Sequence, residues 1–281
     1  MNKFQKIGLG TAQFGLPYGI SNEMGRVSEN ECQKILKAAK RNGLKIIDTA
    51  PAYGEAEKIL GQNDLADLKI VSKFMPENKF GTLEAQLEKS LIKLNTSSIY
   101  AYISHRPMDL LKNQTTWEKL QKVKAEKRVD KIGFSLNMPQ EIVELEKLGY
   151  YPDLIQVPYN FFDQRFKHEI IRLKNKGCEI HARSVFLQGL FFTNTKKLPS
   201  YFDEFKTEIK NLQEKHNNSL PSVLLNYVLN LPFIDHVITG VQNHFQLNSN
   251  IEGLKNEITL KEENFNFNRL KLSPINWPKK T

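Results

Sequence analysis

Four side chains that could share acid–base chemistry follow three apolar segments of the sequence. Asp48 ends "LKIID" and Tyr53 lies on the loop behind it, Lys73 ends "LKIVSK", and His105 ends "IYAYISH". An unperturbed tyrosine has a pKa of about 10 and exchanges protons poorly at neutral pH. An ammonium nearby is expected to lower that pKa, and a carboxylate paired with the ammonium would keep it charged. Together with a neutral imidazole that orients a carbonyl oxygen, the set suits proton delivery as hydride adds to a carbonyl.

Each of these residues also has an ordinary structural interpretation. An aspartate at a strand end often caps a helix, a loop tyrosine often packs at a rim, and a lone histidine is often a satisfied structural residue. The functional interpretation is favoured because all four are expected at the same end of neighbouring strands.

The elements that must position these residues are short apolar runs separated by amphipathic stretches. We predict strands at residues 6–10, 44–48, 68–73, 99–105, 131–136, 153–158, 178–184 and 235–240. We predict helices within residues 28–43, 81–94, 115–128, 139–149, 163–177, 201–216 and 221–231. Ser28 and Glu31 have the spacing of a capping box, and Gly43 is expected to end that helix.

Strands that alternate with helices indicate parallel βαβ crossovers, and continuous Ile, Val and Leu runs fit strands covered on both faces. A count of eight favours the α/β class and a closed (β/α)8 TIM barrel, with an open doubly wound sheet as the alternative. We expect residues 1–281 to form a single domain. In such barrels the carboxyl ends of the strands carry the active site, where the four polar side chains are expected.

The sequence resembles the aldo-keto reductase family along nearly its whole length. The similar segments, in the family's order, are "GLGTAQFG" (8–15), "IDTAPAYGEAEKILG" (47–61), "IVSKF" (70–74), "YISHRP" (102–107), "KIGFS" (131–135), "IQVPYN" (155–160), "ARSVFLQGLF" (182–191) and "VITGVQNHFQLNSNI" (237–251). The family's catalytic tetrad falls on Asp48, Tyr53, Lys73 and His105, with all four identities retained. The resemblance implies an NAD(P)H-dependent carbonyl reductase in which Tyr53 is the general acid and His105 orients the substrate.

The resemblance further implies a nicotinamide cofactor across the C-terminal face of the barrel, NADP(H) being favoured and NAD(H) the alternative. No dinucleotide fingerprint is needed there, and "GLGTAQFG" has Gln13 where the third glycine would stand. The implied cofactor residues are Gly10, Thr11, Asp48, Ser135, Asn137, Gln156, Arg183, Ser184, Leu187, Gln188, Gly189, Gly240, Gln242, Gln246 and Asn250.

Three departures from the family pattern bear on that cofactor site. Most relatives place an aromatic ring against the nicotinamide where this chain has Arg183, whose flat guanidinium could stack on a ring. Relatives that choose NADP often carry lysine or arginine at the positions of Gly240 and Gln246, so a strong 2′-phosphate clamp is not expected. Leu136 interrupts the usual Ser-Asn pair. Helix N-terminal amides, with Gln242 or Asn243, could still receive a phosphate.

The substrate pocket is expected on the loops. The candidate residues are Phe14, Tyr18, Tyr53, His105, Arg106 and Asn160, with Tyr159 and Phe186 as further liners. This mixture of aromatic and polar groups suits a sugar-derived or small polar carbonyl. The stretch "GTAQFGLPYGISN" and the tail "INWP" are similar to a bacterial subgroup often associated with surface-polysaccharide synthesis.

Composition and charge favour a small-molecule enzyme over other classes. The formal net charge is +9 with a pI of about 9.3, but the lysines are scattered, and Lys279 and Lys280 form the only C-terminal basic run. We therefore expect a solvated surface and no nucleic-acid or membrane partner. Cys32 and Cys178 suggest neither a disulfide framework nor a metal site. No signal peptide is apparent, so a cytoplasmic location is expected.

Two other functions remain open from the sequence. In a lysine-dependent aldolase-type barrel, Lys73 would form a Schiff base, which needs a depressed pKa, whereas Asp48 should raise it. In a regulatory subunit the barrel would bind the cofactor without turnover, which the intact tetrad argues against.

Overall fold

Eight parallel strands close into a barrel in the computed structural model, which describes residues 3–278. The terminal Lys279–Lys280 pair lies outside the described residues. Each strand pairs with the next along the chain, and β8 pairs with β1. The strands are β1 (Ile7–Gly10), β2 (Ile46–Asp48), β3 (Lys69–Phe74), β4 (Ile99–Ser104), β5 (Val129–Ser135), β6 (Leu154–Pro158), β7 (Glu179–Arg183) and β8 (His236–Gly240). The predicted (β/α)8 barrel and all eight predicted strands are confirmed.

Helices follow the strands around the outside of the barrel. They are α1 (Ala12–Gly15), α2 (Glu29–Arg41), α3 (Ala56–Gly61), α4 (Glu77–Phe80), α5 (Leu83–Leu94), α6 (Thr115–Ala125), α7 (Pro139–Lys147), α8 (Lys167–Asn175), α9 (Asp203–His216), α10 (Leu220–Leu229) and α11 (His244–Gly253). Each of the seven predicted helical stretches contains a helix. The prediction missed α3 and the four-residue helices, since one or two turns show little apolar periodicity. For α11 it gave no range and expected only a helix N-terminus near Gln242 and Asn243.

The barrel interior explains why polar side chains reach one end of it. Six buried side chains from five strands form an inner apolar cluster, namely Ile46, Val71, Ala101, Ile103, Leu154 and Ile238. Side chains two residues apart on a strand point to the same face. Asp48, Lys73, His105 and Gln156 each stand two residues beyond a member of that cluster. They therefore continue the inward-facing rows at the carboxyl ends of the strands.

The expected capping box at the start of α2 is only half formed. The Ser28 hydroxyl accepts a hydrogen bond from the Glu31 amide, as an N-cap should. The Glu31 carboxylate does not complete the box but accepts bonds from the His244 amide (2.8 Å) and from His244 Nδ1 (2.6 Å). The prediction was wrong because a tertiary contact with α11 competes for that carboxylate. The helix ends before Gly43, whose φ of +76° favours glycine, as predicted.

No helix within residues 3–278 is both long and apolar enough to span a bilayer.

Candidate active site

A buried ion pair between β2 and β3 lies at the centre of the site. Lys73 Nζ donates to Asp48 Oδ1 at 2.7 Å and to the Thr49 carbonyl oxygen at 2.9 Å. The two charged side chains are 1% and 4% exposed. Gln156 Nε2 donates to the same Asp48 oxygen at 2.7 Å from β6. The pair is thus electrically balanced and is held by one neutral donor, at Gln156, and one neutral acceptor, at Thr49, as a buried pair requires.

Tyr53 is brought beside this pair by a tight turn after β2. Residues Pro51–Tyr53 form one 3-10 turn, and Gly54 follows with φ 60° and ψ −121°, a conformation that favours glycine. The turn packs closely on α1, because a Cβ on Gly15 would stand 1.7 Å from the Tyr53 carbonyl oxygen. The ring centroid of Tyr53 lies 5.1 Å from Lys73 Nζ and 6.0 Å from the His105 ring, which meets it edge to face.

The environment raises the pKa of Tyr53 above its ordinary value. Burial is the main cause, Asp48 adds to the rise, and Arg183 opposes it. The expectation that Lys73 would lower this pKa was wrong, since the charge of Lys73 is balanced by Asp48 at 2.7 Å. The phenol is therefore fully protonated at neutral pH and available as a proton donor. Burial also lowers the pKa of Lys73, against the opposing effect of Asp48, so the expected rise in the Lys73 pKa was wrong.

His105 is neutral in this environment, as the sequence argument required. Burial lowers its pKa to about 3, and the nearby charges of Lys73, Arg183 and Arg106 contribute. Its Nδ1 atom is buried without a hydrogen-bond partner among the described residues. A neutral ring can donate a hydrogen bond to a carbonyl oxygen through one nitrogen only.

Arg183 ends β7 and is held by neutral oxygens. Its Nη2 donates to Asn137 Oδ1 at 2.7 Å and to the Leu136 carbonyl at 3.0 Å, and Nη1 donates to Ser184 Oγ at 3.3 Å. No carboxylate of residues 3–278 lies within 4.0 Å of it in an ion pair. Its charge nevertheless influences Tyr53, Lys73 and His105. Arg183 therefore brings a net positive charge to the reaction centre.

A long cleft of about 840 Å³ opens from Tyr53 across the carboxyl ends of β1, β6, β7 and β8. It contains most of the residues expected at the cofactor, namely Gly10, Thr11, Asp48, Gln156, Arg183, Ser184, Gln188, Gly189, Gly240, Gln242, Gln246 and Asn250. Three of the expected substrate residues, Tyr18, Tyr53 and Phe186, also line it.

Other expected residues do not line this cleft. Phe14, Tyr159, Asn160 and Leu187 are each 0% exposed. Phe14, Tyr159 and Leu187 pack in the apolar core, so they cannot meet a ligand without rearrangement. The Asn160 side chain is used structurally, because it accepts from the amides of Phe162 and Asp163 and donates to the Ser184 carbonyl.

Four further residues lie beside the cleft. Ser135 is buried at the end of β5, and the Asn137 amide oxygen is occupied by Arg183. Lys73 and His105 are next to the Tyr53 ring, which does line the cleft. Arg106 lines a separate pocket of about 110 Å³ formed with Glu77 and Asp109.

The sequence argument missed cleft residues that come from distant segments. Asn217 and Asn218 reach it from the connection between α9 and α10, and Ser21 and Phe192 reach it from the loops after β1 and β7. The one available signal was the polar pair "NN" inside the longest interval between strands. Asn217 has φ 45° and ψ −126°, a backbone conformation that favours glycine.

The loops after β1 and β7 are fastened together over the cleft. Gln188 Nε2 donates to the Tyr18 hydroxyl at 2.9 Å, and the Ile20 amide donates to the Gln188 carbonyl at 2.9 Å. A Cβ on Gly189 would stand 1.8 Å from Ser21 Oγ, so the contact is close. This junction forms part of the cleft lining.

The amides at the start of α11 are already partnered. The Gln242 amide donates to Gln246 Oε1, the His244 amide to Glu31, and the Gln246 amide to Asn243 Oδ1. The expectation that these amides await a phosphate needs correction for these three, because side chains from α11, its N-cap and α2 already accept from them. The Gln242 side chain still lines the cleft.

The cleft fits a nicotinamide dinucleotide in size and in chemistry. Its volume lies within the range of about 300–1,000 Å³ that is usual for ligand sites. Thr239 Oγ1 lies among the lining residues, buried and without a partner, as expected of a polar group that binds a ligand. The end away from Tyr53 is lined by the neutral amides of Gln246 and Asn250 and by the hydroxyl of Ser249.

Comparison with known proteins gives consistent results. A family model described as the Aldo/keto reductase family matches residues 6–267. A glyoxal reductase of Bacillus subtilis is 30% identical over 209 residues, covering 71% of this chain and 70% of that protein. An NADH-specific methylglyoxal reductase of Escherichia coli is 25% identical over 218 residues, covering 66% and 64%. An aldo-keto reductase from Bacillus halodurans in its holo form has a TM-score of 0.70 at 20% identity over 89% of this chain and 86% of that one, which shows the fold.

Proposed function

This chain belongs to the aldo/keto reductase family, and from that premise we propose which of its residues carry out the NAD(P)H-dependent reduction of an aldehyde or ketone. The observation that carries the assignment is the arrangement of Tyr53 beside the buried Lys73–Asp48 pair. A bound nicotinamide supplies the hydride for the carbonyl carbon. The protein residues bind the cofactor and the substrate, orient the carbonyl group and protonate its oxygen.

Tyr53 is the proton donor to the carbonyl oxygen. Its raised pKa keeps the phenol protonated until negative charge develops on the substrate oxygen. Arg183 is the nearby charge that favours the phenolate that remains, while the Lys73 ammonium lies 5.1 Å from the ring centroid. Asp48 holds the ammonium in position, and neutral His105 donates a hydrogen bond that orients the carbonyl.

A Schiff-base mechanism is not favoured. The Lys73 ammonium donates to Asp48 and to the Thr49 carbonyl and is 1% exposed, so its nitrogen cannot attack a substrate in the cleft without breaking a buried pair. An amine nucleophile must be unprotonated and accessible.

The substrate is proposed to be a small polar carbonyl compound. Two relatives are named as reductases of glyoxal and methylglyoxal, and the cleft beside Tyr53 is lined by polar groups and by Phe186 and Phe192. A sugar-derived aldehyde or keto-sugar, suggested by the similarity to the polysaccharide-associated subgroup, remains part of this proposal.

We propose that NADPH and NADH are both accepted. The preference for NADPH expected from the family has no cation to support it, because Arg183 is the only arginine or lysine that lines the described cleft, and it lies at the Tyr53 end. One relative is named as NADH-specific. We further propose that residues 1–281 act as one domain in the cytoplasm, where Cys32 and Cys178 stay reduced; both are free and buried.

A nicotinamide-oxidation screen tests the proposal. The protein is mixed with NADPH or NADH and with glyoxal, methylglyoxal, sugar aldehydes and keto-sugars, and loss of the reduced cofactor is followed. Oxidation that depends on the carbonyl compound is expected. Tight cofactor binding with no oxidation on any carbonyl would instead support a regulatory subunit, and borohydride trapping of substrate on Lys73 would support an aldolase.

A further inference from the structure

The Tyr53 end of the cleft carries an excess of positive charge. The charges of Asp48 and Lys73 cancel at 2.7 Å, whereas Arg183 has only neutral partners within residues 3–278, at Asn137, Leu136 and Ser184. Arg183 is also the only lysine or arginine among the cleft-lining residues of the described chain. Its positive charge is therefore uncompensated where the reaction must occur.

Arg183 is fixed in position rather than free to swing into solvent. Two of its bonds reach the loop after β5, on the far side of β6, so the side chain spans the barrel mouth above Gln156. It is only partly exposed. A guanidinium held by neutral oxygens keeps its full charge, because an arginine side chain is always protonated in proteins.

The two redox forms of a nicotinamide differ in charge at the ring. The reduced ring is neutral and the oxidised ring is a cation, while the pyrophosphate, riboses and adenine are common to both. A fixed cation near the reaction centre therefore repels the oxidised ring and leaves the reduced ring almost unaffected. Contributions from the rest of the dinucleotide cancel when the two forms are compared.

We propose that Arg183 determines the redox-form specificity of the cleft, so that it binds the reduced cofactor in preference to the oxidised one. The inference rests on the proposed function, because it requires the nicotinamide to reach Tyr53. It assigns to Arg183 a task that an aromatic ring at this position cannot perform. Expulsion of the oxidised cofactor after each turnover follows from the same repulsion and favours the reductive direction.

Binding titrations test this without reliance on activity. Dissociation constants for NADPH, NADP⁺, NADH and NAD⁺ are measured by calorimetry for the wild type, Arg183→Gln, Arg183→Lys and Arg128→Gln. Arg128 pairs with Glu88 just before β5, at the opposite end of the barrel, and its variant removes the same charge far from the cleft.

The expected result concerns the ratio of the oxidised to the reduced dissociation constant. Arg183→Gln should lower this ratio on the order of tenfold for each cofactor pair, through tighter binding of the oxidised form. Arg183→Lys should retain most of the wild-type ratio because it keeps the charge, and Arg128→Gln should leave the ratio unchanged.

Three outcomes would overturn the inference, and they are distinguishable. If the wild type binds nicotinamide dinucleotides and reduces a carbonyl compound, but the ratio for Arg183→Gln stays within twofold of wild type, this inference alone fails. If the wild type binds no nicotinamide dinucleotide, the proposed function fails with it. A fall in the ratio for Arg183→Gln caused only by weaker binding of the reduced form would indicate lost contacts instead of charge, and would also count against it.

Discussion

The backbone of Gly15 touches the backbone of Tyr53 so closely that a Cβ on the glycine would stand 1.7 Å from the Tyr53 carbonyl oxygen. The position of the proposed acid thus depends on residue 15, at the end of α1, having no side chain. Gly54, next to Tyr53, completes the contact, since a Cβ there would lie 2.8 Å from the Gly15 carbonyl oxygen.

Gly15→Ala is expected to displace the turn that carries Tyr53 and to lower kcat for carbonyl reduction by at least about tenfold, because roughly 1 Å of misplacement is costly in catalysis. Steady-state kinetics provide the measurement. Gly43→Ala is the control: Gly43 also has a positive φ, +76°, but a Cβ there meets nothing within 4 Å. It should cost about 1–2 kcal/mol of stability and leave kcat unchanged. Equal kcat values for the two variants would show that the position of Tyr53 does not depend on Gly15.

Tyr53→Phe is expected to reduce kcat by about 10²–10⁴-fold, the usual contribution of a positioned proton donor, while cofactor binding stays nearly intact. Single-turnover reduction of a test aldehyde and cofactor titration together provide the measurement. Tyr151→Phe, at a side chain that is 64% exposed, is the matched control. Reduction by Tyr53→Phe at the wild-type rate would show that another group donates the proton.

Lys73→Met is expected to lower the free energy of unfolding by about 3–5 kcal/mol, because Asp48 would be left buried without its cation. The double variant Asp48→Asn/Lys73→Met should recover much of this loss, since no charge then remains buried. Urea denaturation of the wild type and of both single and double variants gives the coupling. Additive losses would mean that the pair is not coupled.

Stability is expected to fall as the pH is lowered below about 6.5, in part through His236 at the start of β8. Burial lowers the pKa of His236 in the folded protein to about 4, whereas an unfolded histidine titrates near 6.5. Since the unfolded chain binds this proton first, the contribution of His236 is complete above about pH 6.5 and is lost as the pH falls towards 4. The slope is up to about 1.4 kcal/mol per pH unit.

His236→Gln should therefore show a shallower loss of stability between pH 6.5 and pH 4 than the wild type, measured by urea denaturation across that range. His168→Gln is the control, because its ring is 85% exposed. An identical slope for His236→Gln and the wild type would contradict the assignment.

Gln246→Arg is expected to raise the preference for NADPH over NADH, because it adds a cation to the end of the cleft away from Tyr53. In the wild type the two dissociation constants should differ by less than about tenfold, or 1.4 kcal/mol. Gln246→Met controls for the lost bond between Gln246 Oε1 and the Gln242 amide. A thousandfold wild-type preference for either cofactor would show a clamp outside the lining residues.

The sequence by itself determined the barrel and the identity of its four central polar residues. Both are local properties: apolar runs report strands covered on both faces, and the two-residue period of a strand directs Asp48 and Lys73 inward at the strand ends. The pKa values of these side chains were harder to predict from the sequence. The neutral His105 was anticipated, but the net effect on the Tyr53 pKa was not, since burial and the cancellation of Lys73 by Asp48 depend on distances.

Only the tertiary structure decided which side chains are free to act. Asn160 and Phe14 were expected in the pocket, but the Asn160 side chain bonds within a turn and Phe14 packs in the core. The Glu31 carboxylate bonds to His244 instead of completing the capping box. Asn217 lines the cleft although it lies in a connection far along the chain. The uncompensated charge of Arg183 likewise follows from which oxygens surround it. Each of these outcomes is a competition between partners distant in sequence, and local patterns carry no information about which partner wins.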